Sequence, residues 1–223
     1  MFRSHTGGNK LGMRKSLGLV VACVALSMLG GGTAFSAAAP PSPALGAFSS
    51  ALVGVTAYNA TITVFEQTGV KVQNMVFKYT FRQPSTVTTD VVGGPNNGVS
   101  MLWTGGTTLS AHKSGLAGVI KKTFSLHDPQ VTTIRGSSID QLSFPAILAH
   151  AQGTPGKLTQ AAGMIVNDVA TDAVTLTPSS TDAGYTREVV EISRSTHLPS
   201  RVLGYQGTKI VRRIDFVDVH LTQ

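Results

Sequence analysis

The chain has 223 residues, a formal net charge of +7 and a single cysteine, Cys23. Four basic residues, Arg3, Lys10, Arg14 and Lys15, lie in residues 1–39, which hold no acid, so the remainder carries 14 basic against 11 acidic groups, a net +3. With no dense basic run beyond the pairs Lys121-Lys122 and Arg212-Arg213, that balance leaves no footprint for nucleic acid, and the length fits one domain.

Met13-Arg14-Lys15 is a short cationic start, followed by an apolar run of about 13 residues from Leu17 to Leu29 and small residues up to Ala39. That order predicts a cleaved secretory signal peptide and a periplasmic product. A membrane anchor would need roughly 18 or more apolar residues. Residues 1–39 are therefore expected to be an N-terminal extension plus signal peptide, starting at Met1 or Met13, and residues 40–223 the domain. Val20-Val21-Ala22-Cys23 is similar to a lipoprotein box, but the apolar run continues past it, so lipidation at Cys23 is the less favoured alternative. If Cys23 leaves with the signal, the mature chain holds no disulfide and no thiolate metal site.

Leu45, Phe48, Leu52 and Val55 recur at spacings of three and four, which predicts a helix over Ala44–Ala57. Tyr58–Gln67 reads as a strand with Ala60, Ile62 and Val64 on one face. Val70–Arg82 alternates strictly, with Met75, Phe77, Tyr79 and Phe81 on one face and Lys78, Thr80 and Arg82 on the other. Ser85–Val92 and Val99–Trp103 follow as strands across the turn Gly93–Gly98, the latter presenting Val99, Met101 and Trp103. Thr107–His112 and Val119–Leu126 continue the meander. Ser138 and Gln141 have capping-box spacing, so a helix is expected within Ile139–Ala151, interrupted or restarted at Pro145, with Phe144, Ile147 and Leu148 apolar. Gly153–Gly156 reads as a loop. Strands are then expected at Gly163–Ala170, Ala173–Thr177 and Thr186–Ser193. Ser200–Tyr205 and Lys209–Leu221 read as a hairpin around Gln206-Gly207-Thr208; the apolar face switches along the last strand, which a bulge near Asp215–Val217 or burial of both faces would explain.

Nothing in this pattern assembles a catalytic centre. Ser110-Ala111-His112-Lys113 matches S-x-x-K, but its partner motifs are missing and a strand would turn Ser110 and Lys113 to opposite faces. His112, His127, His150 and His197 lack metal-ligand spacing. Asp215 and Asp218 are offset by three, so no carboxylate pair forms on a regular strand. The expectation is a protein that is not an enzyme and uses no metal or cofactor. From pattern alone, the Met- and aromatic-rich face is either ordinary core or the wall of a cavity.

Several short motifs, in order, resemble one known family. They are Tyr58-Asn59-Ala60-Thr61-Ile62-Thr63-Val64-Phe65-Glu66-Gln67 after an amphipathic helix, Phe81-Arg82-Gln83-Pro84, Met101-Leu102-Trp103, Phe144-Pro145-Ala146-Ile147-Leu148-Ala149, Val174-Thr175-Leu176-Thr177-Pro178, and the hairpin from Leu198-Pro199 to Phe216. Together they are similar to the LolA-type periplasmic lipoprotein carriers and their LolB-, LprG- and RseB-like relatives. The resemblance implies an α+β fold, an unclosed antiparallel β-barrel (half-barrel) with helices covering an apolar cavity that holds acyl chains. It implies that Met75, Phe77, Tyr79, Phe81, Met101, Trp103, Phe144, Ile147 and Leu148 bind lipid, and that Arg82 takes the place of the family's gating arginine. The partners it implies are acyl chains of lipids or lipoproteins and inner- and outer-membrane proteins, with the carrier a monomer. The alternative on the same fold is an envelope sensor or interaction module that reads lipid occupancy for a partner protein.

Overall fold

Alternating runs of side chains find their backbone partners here in one antiparallel sheet. The computed structural model describes residues 42–113, 121–180 and 184–222, all within the unit Ala38–Gln223. The expected signal peptide, Cys23 and the first residues of the Val119–Leu126 strand lie outside the described residues. The strands are β1 (Ala57–Thr68), β2 (Lys71–Arg82), β3 (Thr86–Gly93), β4 (Val99–Trp103), β5 (Thr108–Lys113), β6 (Lys122–Ser125), β7 (Gly156–Val166), β8 (Val169–Pro178), β9 (Arg187–Ser193), β10 (Pro199–Gln206) and β11 (Lys209–Thr222). Their order in the sheet is β6-β5-β4-β3-β2-β1-β11-β10-β9-β8-β7. The first and last strands thus meet in the middle, and β6 and β7 are left as separate edges. The result is the unclosed half-barrel that the motifs implied.

Alternation decides the faces. In β2, Met75, Phe77, Tyr79 and Phe81 are all buried, whereas Lys78 and Arg82 are exposed. On β1 the buried set is Tyr58, Ala60, Ile62, Val64 and, at its end, the fully buried Glu66. Burying side chains of this size contributes about 1.5–3 kcal/mol each. Glu66 can be buried because it accepts hydrogen bonds from the Arg135 backbone N–H (2.9 Å) and Ser137 Oγ (2.8 Å), with Arg212 Nε at 3.8 Å.

Among the described residues, two α-helices pack on the inner face. The first, α1 (Pro43–Ala51), is capped by Ser42, whose Oγ accepts from the Leu45 N–H at 3.4 Å. Gln160 Oε1 on β7 accepts from Ser42 Oγ (2.6 Å) and the Ala44 N–H (3.0 Å), tying the helix start to that edge. A 3₁₀ turn over Ile139–Leu142 precedes α2 (Phe144–Gly153). The helix restarts there because Ser143 caps the Ala146 N–H and Pro145 sits in the first turn, where a missing N–H costs nothing.

The structure corrects two expectations and locates a third. The strand expected at Gly163–Ala170 straddles a turn: Asn167 (φ 50°) and Asp168 (φ 62°) separate β7 from β8, and β7 begins at Gly156 inside the expected loop. Nearly all of β7 is exposed on both faces, so it carries no hydrophobic period. The bulge expected near Asp215–Val217 is present, at Asp218 (φ 51°) directly after Val217, between the pairs Asn59–His220 and Thr61–Val217. Finally, α1 stops at Ala51, and Val55 is buried from the turn that follows rather than from the helix.

Candidate functional site

Two tyrosines organise the inner face. Tyr58 Oη accepts the Phe144 N–H at 2.9 Å, and Tyr79 Oη donates to the Ile139 carbonyl at 3.0 Å. These bonds fix the first residues of α2 and of the 3₁₀ turn. Burial pushes both phenols well above their ordinary range, so both stay protonated at any physiological pH. Around them the rings close up. Phe144 stacks on Tyr58 at 4.4 Å between centroids, Phe81 on Tyr58 at 5.4 Å, and Phe144 meets Phe216 at 5.1 Å and Phe48 edge-on at 6.3 Å.

Further along β2 the packing opens. A cavity of about 870 Å³ lies between the inner side of β2–β6 and the chain over residues 129–142. Met75, Phe77, Val91, Val99, Met101, Ala111 and Phe124 form its sheet side; Val131, Ile139 and Leu142 face them from the other chain segment. Thr132, Thr133, Ser137 and Ser138 add hydroxyls, and His112, Lys113 and Lys122 stand among the lining residues at the β5–β6 end.

A second cavity of about 370 Å³ lies against α2, where Ile147 and Ala151 oppose Val174, Leu176, Val190, Val202 and Ile214. Its charged groups contact other protein groups, although Nε of both Arg135 and Arg212 is buried with no hydrogen-bond partner. His150 Nε2 bonds Glu188 Oε1 at 2.8 Å, and the Arg135 guanidinium lies 4.9 Å over the Tyr185 ring. The hydrogen bond to Glu188 raises the His150 pKa from 6.5, with burial opposing it.

The sequence-derived residues therefore separate into groups. Met75, Phe77 and Met101 line the large cavity and Ile147 the small one. Tyr79, Phe81 and Phe144 are buried in the aromatic cluster. Trp103 is half-buried, its Nε1 donating to the Gly106 carbonyl at 3.0 Å, and Leu148 packs half-buried against the core. Arg82 is exposed on the polar face of β2, opposite Ala57 and Thr86. The structure adds Val91, Phe124, Val131, Ile139 and Leu142 to the large cavity and Tyr58 to the aromatic cluster, none of them among the residues that the resemblance implies. Tyr58 and Phe124 carried an alternation signal, but Val131 sits in a loop with none. Ser110 faces away from Lys113 on β5, and no three His, Cys, Asp or Glu side chains converge among the described residues.

The architecture defines a class, the open antiparallel half-barrel with helices on its inner face. No protein-family model matches the chain, and no curated protein matches its sequence. By structure it is similar to an uncharacterized conserved protein from Thermus thermophilus, with a TM-score of 0.50 and 9% identity over 81% of this chain and 86% of that one. It is also similar to a LolA-superfamily protein from Nitrosomonas europaea (TM-score 0.40, 11% identity, 81% and 92% covered). The lipoprotein LppX of Mycobacterium tuberculosis aligns with a TM-score of 0.44 and 12% identity over 78% and 90%.

Proposed function

We propose that the protein is an exported, periplasmic carrier that takes the acyl chains of lipids or lipoproteins into the cavity between β2–β6 and residues 129–142. The observation that carries this reading is the cavity itself: about 870 Å³, with an apolar sheet side at whose core are Met75, Phe77 and Met101. Such a volume lies at the upper end of small-molecule sites, roughly 300–1,000 Å³. Thioethers and rings suit flexible chains, because they re-pack at small cost. The leader pattern of residues 13–39 and the likeness of the motifs to LolA-type carriers support export and trafficking between membranes.

Burying a chain of about 16 carbons would gain on the order of 12 kcal/mol gross at roughly 0.8 kcal/mol per CH₂. Net affinity near that figure would correspond to a dissociation constant of about 1 nM, too tight for ready release. A carrier gains by using part of that energy and by letting the segment that Tyr58 and Tyr79 hold act as the cover. In this proposal Tyr79, Phe81 and Phe144 support the site from the core.

The test is acyl uptake by the detergent-free exported chain, read by native mass spectrometry, beside Ala111→Phe. Ala111 is buried on the cavity wall, so the larger ring fills the cavity and leaves the aromatic cluster untouched. Uptake is expected to drop about tenfold or more while the melting temperature stays within a few degrees. Unchanged uptake in a folded Ala111→Phe protein would sink the proposal.

A further inference from the structure

We infer that the large cavity selects amphiphiles with an anionic headgroup, held by Lys113 and Lys122 at the free edge of the sheet. The inference rests on the acyl-chain reading and adds the ligand's polar end. The register places both lysines on the wrong face for solvated strand residues. On β5, Leu109 and Ala111 are the buried positions, and Lys113 is the next on that side. Lys122 pairs directly with Ala111 across β5–β6, and its face-mate Phe124 pairs with Leu109. Lys113 in turn pairs with Val99 of β4, beside Met101 and Ala111. The apolar wall thus ends in two ammonium groups, where its alternation calls for two more apolar residues.

Their charge is not neutralised at home. Both are exposed, so their stems can run along the wall while the heads reach water. The ion pairs among the described residues involve His150, Arg194, Arg201, Arg212 and Arg213, and neither lysine takes part. Among the described residues no Asp or Glu lines the cavity. The smaller cavity differs: there His150 meets Glu188, Arg212 Nε lies 3.8 Å from Glu66, and the Arg135 guanidinium donates to the Gln67 and Gly184 carbonyls. An apolar trough with an unpaired cationic end matches a molecule with an apolar tail and an anionic end, either the phosphate of a lysophospholipid or the carboxylate of a free fatty acid.

Inward charges on an edge strand also guard against edge-to-edge pairing. A guard would govern self-association and leave headgroup preference alone, which separates the two roles. The experiment is displacement of a fluorescent acyl probe from the exported chain by three ligands with the same palmitoyl tail. They are palmitoyl lysophosphatidylglycerol, palmitate and the neutral monopalmitoylglycerol. At low salt at least one anionic ligand is expected to displace at about tenfold lower concentration than the neutral one, and the stronger of the two names the headgroup. About 0.5 M salt should narrow that gap, since exposed charges are screened. Lys113→Gln with Lys122→Gln should reduce it to less than about threefold, weakening the anionic ligands more than monopalmitoylglycerol. Equal displacement by all three ligands, or a gap that persists in the double variant, would overturn the headgroup assignment while the acyl reading stood. Displacement by none would remove both.

Discussion

The inner face of β2 has two halves that share one strand, one alternation and one degree of burial, yet they do different things. At Tyr79 and Phe81 the face is filled by rings from β1 and α2, with Tyr58 and Phe144 only 4.4 Å apart. At Met75 and Phe77 it borders a cavity of about 870 Å³. The difference comes from what crosses over. One half receives the start of a helix, led by a phenylalanine whose N–H a buried tyrosine accepts. The other receives a loop and 3₁₀ turn whose Thr132, Thr133, Ser137 and Ser138 are too small to fill the space. A strand's pattern specifies which face is apolar, and a distant segment specifies whether that face becomes core or site.

Substitutions can break that contrast. The largest effect is expected from Phe144→Ala, which removes contacts to Tyr58, Phe48 and Phe216 at once. It should cost about 3–5 kcal/mol in urea unfolding, and a cost below about 1 kcal/mol would mean that the ring cluster is not the core of the fold. At the other half, Met75→Ala should cost about 2 kcal/mol, the low end for methionine, because the cavity side offers fewer atoms to lose. It should also enlarge the cavity and favour longer or branched acyl chains in a displacement series. A Met75→Ala cost equal to that of Phe144→Ala would erase the distinction between the halves. Tyr58→Phe keeps the ring stack and deletes the acceptor for the Phe144 N–H. The expected cost is about 1–2 kcal/mol, the penalty for an unsatisfied buried donor.

Much of this was legible in the sequence wherever one face is buried and the other wet. β1, β2, β3 and β4 follow from alternation, the β10–β11 hairpin from its Gln206-Gly207-Thr208 turn, and the restart of α2 from Ser143 and Pro145. β7 was not legible, because exposure on both faces erases the period and the Asn167-Asp168 turn lacks glycine or proline. The cavity wall was legible only as a face. Sequence grouped Met75 with Phe81 because they alternate together; their separation depends on Phe144, some 60 residues on, and on Val131 in an unpatterned loop. Lys113 and Lys122 could not be assigned to the cavity face from sequence, because the inward side of β5 and β6 shows only through register with β4.

The smallest expected effect sharpens the question of what holds α2 in place. Its last turn carries His150, whose Nε2 bonds the buried Glu188 of β9 at 2.8 Å while Thr154 Oγ1 lies 3.2 Å from Nδ1. Because the hydrogen bond to Glu188 raises the folded pKa of His150, the protonated pair stabilises the fold fully below the unfolded value, near 6.5. That contribution is lost as pH rises through the folded value. The loss should be partial, since a neutral imidazole can keep its Nε2–H on Glu188 if Nδ1 accepts from Thr154. The His150 side chain is 47% exposed, so solvent screening holds the effect to less than about 1 kcal/mol. Subtracting the melting temperatures of His150→Gln from those of the unaltered chain between pH 6 and 8.5 isolates it. The difference should shrink toward high pH, and a constant or growing difference would exclude the charged pair. A pH-dependent part larger than the cost of Tyr58→Phe would place the anchor of α2 at its C-terminal end, and the aromatic half of β2 would then be a consequence of helix docking rather than its cause.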